Sequence, residues 1–288
     1  MEKLPIELVS AIIRLPSHED DVHTLTSCTL VSRTWNAVAT PLLFERICAH
    51  VVPLGHQKPA SQEAWPHWRI HTLRELSTFL RLNPSLSLHV RQILINIAPP
   101  STRTHHVLDP AYAVDPHLLY TILKALPSCR KIALSNLVLT RKLKDNECCG
   151  IPELSRLELS FVRCPDRWRS PTGDALESLG MFSGARNLII SSLRGASHGS
   201  SQNVTSTQRA FECRGLSITD VIYPHAPFVF VNPVPPALRV LGLHMVEEYT
   251  LRWFPSILPT LCSNLEYFRL IMDPRTLVAI TSKYATRT

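Results

Sequence analysis

Residues 154–160 read Leu154-Ser155-Arg156-Leu157-Glu158-Leu159-Ser160, LSRLELS: an apolar residue, two others, a second apolar residue, one other, and a third apolar residue. The spacing returns at Val90/Ile93/Ile95, Cys129/Ile132/Leu134, Ala185/Leu188/Ile190, Cys213/Leu216/Ile218, Leu238/Leu241/Leu243 and Leu265/Phe268/Leu270. Measured at the second apolar residue, these seven units are separated by 39, 25, 31, 28, 25 and 27 residues. Self-similarity at a period of about 20–50 residues marks a repeat architecture, in which each unit buries its apolar face against its neighbours.

Side chains alternate along a strand, so each unit predicts a short strand whose second and third apolar residues point inward. The outward residues are then Gln92, Leu94, Asn96; Lys131, Ala133, Ser135; Arg156, Glu158, Ser160; Asn187, Ile189, Ser191; Gly215, Ser217, Thr219; Val240, Gly242, His244; and Tyr267, Arg269, Ile271. Most are small or polar, as on a binding face with modest pockets. The side chains with most to offer a protein ligand are Arg156, Glu158, His244, Tyr267 and Arg269. Between strands, Asp115-Pro116 caps a helical run through Leu118, Leu119, Ile122, Leu123 and Leu126. Asp174 precedes Ala175, Leu176, Leu179 and Phe182, and Asp273-Pro274 precedes Leu277, Val278 and Ile280. The predicted class is α/β, with short parallel strands joined by helices or loops.

Over residues 86–288 the chain resembles leucine-rich-repeat proteins. It departs from their pattern where an Asn or Cys is expected three residues after the last apolar position, which here holds Ala98, Leu137, Val162, Leu193, Val221, Val246 and Asp273. Irregular curvature is the expectation. Residues 98–106 and 197–208 read as polar or Pro-rich insertions.

The first fifty residues have another character. Pro5 suits a helix start, with Leu4, Leu8, Ile12 and Leu15 on one side and Ile6, Val9 and Ile13 on another. Asp20 and Asp21 open a second helix through Val22, Leu25 and Cys28; Leu30, Val31, Trp35 and Val38 fit a third, and Pro41 begins a last turn with Leu42, Leu43 and Phe44. So short a segment cannot hide this many large side chains alone, so a partner or the rest of the chain should cover some of them. Leu4-Pro5-Ile6-Glu7-Leu8, Ile12, Leu25, Cys28, Leu30-Val31-Ser32-Arg33, Trp35 and Leu43-Phe44 resemble the F-box, whose pattern is an LP-x-E-L opening followed by a V-S-x-x-W helix. The resemblance covers about residues 3–47. It implies docking on the Skp-type adaptor, and through it a cullin scaffold, of a ubiquitin ligase, with Leu4, Pro5, Leu8, Ile12, Val31 and Trp35 facing the adaptor or supporting that face.

The expected organisation is therefore an F-box over 1–50, a connecting segment over 51–85 rich in Pro, His and Trp, and a substrate-binding repeat domain over 86–288. The composition, 288 residues and 45% hydrophobic, suits a chain with a real core and is not that of a disordered one. No stretch is apolar enough for a secretory leader or a membrane span, so a cytoplasmic or nuclear protein with reduced cysteines is expected, its Asn203-Val204-Thr205 sequon unused. The net charge of +7 comes from Lys and Arg that look scattered in the sequence, the densest group being Arg141, Lys142 and Lys144, so nucleic acid is not an expected partner. No C-x-x-C, G-x-S-x-G, G-x-x-x-x-G-K-[ST] or H-E-x-x-H occurs. His67 and His71 stand four apart and His105-His106 is a loop pair, both short of a ligand set; Cys148-Cys149 are too close in sequence for a regular disulfide. No catalytic residue, metal or cofactor is expected.

These readings imply a substrate-recognition subunit of a Skp/cullin/F-box-type ligase that holds an unidentified protein substrate by proximity and does no chemistry itself. The alternative is a repeat scaffold without a ligase role, its N-terminal helices capping the solenoid.

Overall fold

The computed structural model describes residues 5–14, 22–51, 72–97, 113–135, 138–139, 151, 154–160, 179, 181–191, 211–221, 235–245, 259 and 263–272. Within them lie helices α1 (Ile6–Arg14), α2 (Val22–Val31), α3 (Arg33–Leu43), α4 (Leu73–Leu82), α5 (Pro84–Ser87) and α6 (Pro116–Lys124). The strands are β1 (Arg46–Val51), β2 (Gln92–Ile97), β3 (Ala113–Val114), β4 (Lys131–Ser135), β5 (Val138–Leu139), β6 (Leu154–Ser160), β7 (Gly184–Ser191), β8 (Glu212–Val221), β9 (Val240–Met245) and β10 (Tyr267–Met272). Eight strands form one all-parallel sheet in the order β1-β2-β4-β6-β7-β8-β9-β10, and β3 pairs with β5 alone. Order in space follows order in the chain, as in a solenoid that adds one rung per unit.

Each LSRLELS-like stretch is a strand. The register sets Ile93, Ile132, Leu157, Leu188, Leu216, Leu241 and Phe268 side by side, and the third apolar positions line up two residues later. Every apolar residue of the first six triplets is buried, none more than 3% exposed. The last triplet differs: Phe268 and Leu270, expected inward, are 39% and 37% exposed. They hold the right register against Leu241 and Leu243, but β10 is the end strand and has a sheet neighbour on one side only.

An eighth rung stands ahead of the seven. β1 pairs in register with β2, and Phe44, Ile47 and Ala49, all buried, repeat the same spacing. The last residues of the 1–50 segment thus belong to the sheet, and the ring of Phe44 stacks on Phe79 of α4 at 6.2 Å between centroids.

The two residues between the first and second apolar positions stay outside the core on most rungs, Gly215 being the buried exception, and four of the strands enter the sheet through a repeated irregularity. The Glu45 carbonyl accepts the N–H groups of both Arg91 (2.8 Å) and Gln92 (3.0 Å). The Arg91 carbonyl does the same for Arg130 and Lys131, that of Arg130 for Ser155 and Arg156, and that of Arg239 for Glu266 and Tyr267. One acceptor facing two donors is a bulge, and it leaves two neighbouring side chains outside the core on each such rung.

The helices follow their caps. Thr72 accepts from the Glu75 N–H while Glu75 accepts from the Thr72 N–H, a reciprocal box that starts α4 inside the stretch read as a connector; Leu73, Leu76 and Leu80 pack from it into the main core. Asp115 caps α6 through the His117 N–H at 3.0 Å, as the Asp-Pro pair predicts, and buries Leu119, Ile122 and Leu123. In the N-terminal helices the division moves. Leu30 and Val31 end α2 instead of opening α3, because Ser32 is extended and its hydroxyl accepts the Trp35 N–H at 3.3 Å. Pro41 lies inside α3, which runs on to Leu43. The expected helices at 174–182 and after Asp273 fall largely outside the described residues, as do both insertions.

Candidate functional site: an exposed apolar helix surface and a graded sheet face

The N-terminal helices make a core of their own from Val9, Ile13 and Ala39, with Leu25, Cys28, Trp35, Val38 and Leu42 packed on it. Helices α1 and α2 both meet α3. Val9 and Ile13 take the buried side of α1, so the i, i+4 pair Leu8 and Ile12 faces away, 51% and 42% exposed. Ile6 is also half exposed, and at the end of α2 Leu30 and Val31 stand 84% and 63% open. Pro5 is exposed just ahead of α1, its carbonyl accepting the first helical N–H groups from Leu8 and Val9. Trp35 is half-buried against the small core, which makes it the support of this surface more than its tip. Leu4 lies outside the described residues.

On the outward face of the sheet, the middle row runs Cys48, Leu94, Ala133, Glu158, Ile189, Ser217, Gly242 and Arg269. The row nearer the strands' C-terminal ends carries Asn96, Ser135, Ser160, Ser191 and Thr219 in register. Ser135 and Ser160 share a hydroxyl–hydroxyl bond of 2.8 Å, and Ser160, expected to be an open outward position, is buried. The candidate binding residues fall into two groups. Arg156 donates to Glu158 two positions on, at 2.9 Å, both on β6. Tyr267 and Arg269 are on β10, with His244 beside Ile271 on β9. Three strand spacings of about 4.8 Å separate β6 from β9, so the structure does not join the two groups into one cluster.

Gly215 lets the Asn187 amide cross the face: a Cβ there would come within 2.6 Å of Asn187 Oδ1, and the amide donates to the Ser155 carbonyl at 3.3 Å.

Burial pushes the Cys129 thiol up to about 11, against weaker opposing pulls from backbone hydrogen bonding and Arg130, and the Cys213 thiol up to about 12. Both are packing residues, not nucleophiles. Among the described residues no group of three His, Cys, Asp or Glu could hold a metal ion, and no helix is long and apolar enough to cross a membrane. His67, His71, His105, His106, Cys148, Cys149 and Asn203 lie outside the described residues. No family model, curated protein or solved structure matches the chain.

Proposed function

We propose that the chain is the substrate-recognition subunit of a Skp/cullin/F-box-type ubiquitin ligase, an F-box followed by an irregular leucine-rich-repeat domain. The observation that carries this reading is the exposure of Leu8, Ile12, Leu30 and Val31 around a small three-helix core. These are F-box pattern positions, and exposed apolar side chains grouped on short helices mark a protein interaction surface. Helices that merely capped the solenoid would turn these residues inward; their exposure disfavours the plain scaffold. The sheet supports the other half of the reading, since sequential parallel rungs present an extended face on which a protein substrate can lie. The function is then proximity: adaptor at one end, substrate on the face, and a lysine of the substrate brought to a charged ubiquitin carrier.

The test is co-expression with a Skp-type adaptor and capture of the complex. Leu8→Ala with Val31→Ala changes side chains outside the small core, so the helices should stay folded while affinity falls about thirtyfold, the equivalent of about 2 kcal/mol at interface anchors. Undiminished capture by the double variant would reject the assignment. Recovery of other proteins without adaptor or cullin would favour the scaffold.

A further inference from the structure

The cations that look scattered in the sequence are gathered by the fold. At the two positions that open each rung, Arg91, Arg130, Arg186, Arg214 and Arg239 occupy the first, while Arg46, Lys131 and Arg156 occupy the second. Seven consecutive rungs, from β1 to β9, therefore carry an arginine at the N-terminal edge of the sheet. Lys and Arg make up only 30 of 288 residues, so two positions per rung drawn at random would hold a cation on a small minority of rungs. On β2, β4 and β6 the bulge is what sets these side chains outside the core, and the parallel register brings the rungs side by side.

Among the described residues few ion pairs neutralise the row. Arg156 pairs with Glu158, and Arg239 lies 3.6 Å from Glu266 while donating to the Asn264 carbonyl. Arg91, Arg130, Lys131, Arg186 and Arg214 are exposed and make no ion pair with a described residue. Among the described residues Glu212, on β8, is the other carboxylate beside the row, and Glu45 and Glu266 mark its two ends. Like charges on adjacent strands repel, so a stretch of this kind costs stability in the free protein and gains from an anion laid along it.

We propose that this edge binds an extended Asp/Glu-rich segment of a partner protein, lying across the strands; resting on the function proposed above, the segment belongs to the substrate. Guanidinium forks match carboxylates in a bidentate manner, and the Gln92 and Asn187 amides in the same row suit a peptide backbone. Seven rungs at about 4.8 Å span about 29 Å, the length of about nine residues of extended chain. A single-stranded nucleic acid fits less well, because it needs aromatic platforms among the cations and Tyr267, beyond the last arginine, is the one aromatic in the two opening positions.

The experiment uses the full chain and fluorescence anisotropy of labelled decaglutamate, decaglutamine and a ten-residue oligothymidylate. Decaglutamate should bind at least about tenfold tighter than either of the others and weaken as salt rises from about 50 to 300 mM. Arg130→Glu/Arg186→Glu/Arg214→Glu should lose at least about tenfold, with the neutral Gln series intermediate, while Arg74→Glu/Arg81→Glu/Lys124→Glu, an equal charge change on α4 and α6, should leave binding within about threefold. Circular dichroism checks folding, and the Gln series keeps the test decisive if the Glu series does not fold. Equal binding of decaglutamine, tighter binding of oligothymidylate, an equal loss in the control variant, or no binding of decaglutamate overturns the proposal. Adaptor capture by the edge variant is measured in parallel: retained adaptor with lost peptide separates this edge from the ligase reading, and a failure of adaptor capture by the wild-type chain touches that reading alone.

Discussion

Replacing Leu157 by Ala tests whether the rungs act as a stack. Leu157 is fully buried, with Ile132 on one side and Leu188 on the other in the same column. Removing a leucine side chain from such a site costs about 3–4 kcal/mol, the transfer of the lost methyl groups plus the cavity that packed neighbours cannot close. Phe268 occupies the same column at the far end but is 39% exposed and has Leu241 as its only partner in the column. A buried phenylalanine would cost about 3–5 kcal/mol on truncation, and a site this open and one-sided should lose about 2 kcal/mol. Urea unfolding followed by circular dichroism at 222 nm reads the difference as a shift of midpoint at unchanged slope. Leu157→Ala should shift it further than Phe268→Ala, although the phenylalanine gives up more atoms. A double variant with Leu188→Ala should depart from additivity, because the two side chains touch one column of the core. Equal or reversed costs for Leu157 and Phe268 would mean that the sheet does not end where it is placed, and the stacking argument would fail.

Four further outcomes follow from the same geometry. Ser160→Ala should cost about 1 kcal/mol, and a double-mutant cycle with Ser135→Ala should recover a coupling of about 0.5–1.5 kcal/mol; additivity would show that the hydroxyls do not pair. Gly184→Ala should destabilise by about 1–3 kcal/mol, since the added carbon would sit 2.8 Å from the Glu212 carbonyl and force two strands apart; an unchanged urea midpoint would refute the close approach. Cys129 and Cys213 should resist iodoacetamide at pH 8 in the folded chain and react in urea, as read by peptide mass spectrometry, because burial keeps both protonated; labelling of either at the denatured rate would contradict their burial. The same thiols stay protonated in the folded state after the unfolded chain begins to lose its protons near 9.0, so their contribution is full below that pH and is lost as pH rises towards 11 and 12; Cys129→Ala/Cys213→Ala should show a flatter decline over that window.

Seven strands were legible because each brings three apolar residues at fixed spacing, and a buried column leaves little freedom in what those residues can be. The eighth, β1, obeys the same rule through Phe44, Ile47 and Ala49, but Ala49 is a weak apolar signal and Phe44 also completes the helical pattern before it. Helix α4 had a readable start in Thr72-x-x-Glu75 ahead of Leu76 and Leu80; the Pro, His and Trp upstream obscured it. Helical spacing separated Leu8 and Ile12 from Val9 and Ile13 on α1, but with both sides apolar only the F-box resemblance pointed to Leu8 and Ile12 as the outward pair. Spacing did not place Trp35, since a tryptophan serves core and surface alike and only packing on Val9, Ile13 and Ala39 tells which. Ser160 looked outward by alternation, yet it is buried and bonded to the hydroxyl of Ser135 on the neighbouring rung, a contact between residues twenty-five apart that no local pattern contains. The basic edge was hidden for the same reason: its members are far apart in sequence, and the parallel register alone makes them neighbours.

The agreement between the order of strands in space and their order in the chain also fixes how the protein yields to mechanical load. Tension applied across the sheet, between the start of β1 and the end of β10, falls first on these outermost strands and loads their hydrogen bonds one ladder at a time instead of shearing the whole sheet at once. The sheet should therefore unravel by peeling, at low force and in successive steps, each releasing the 25–39 residues of one unit. The half-open β10 should come away first and the interior rungs last.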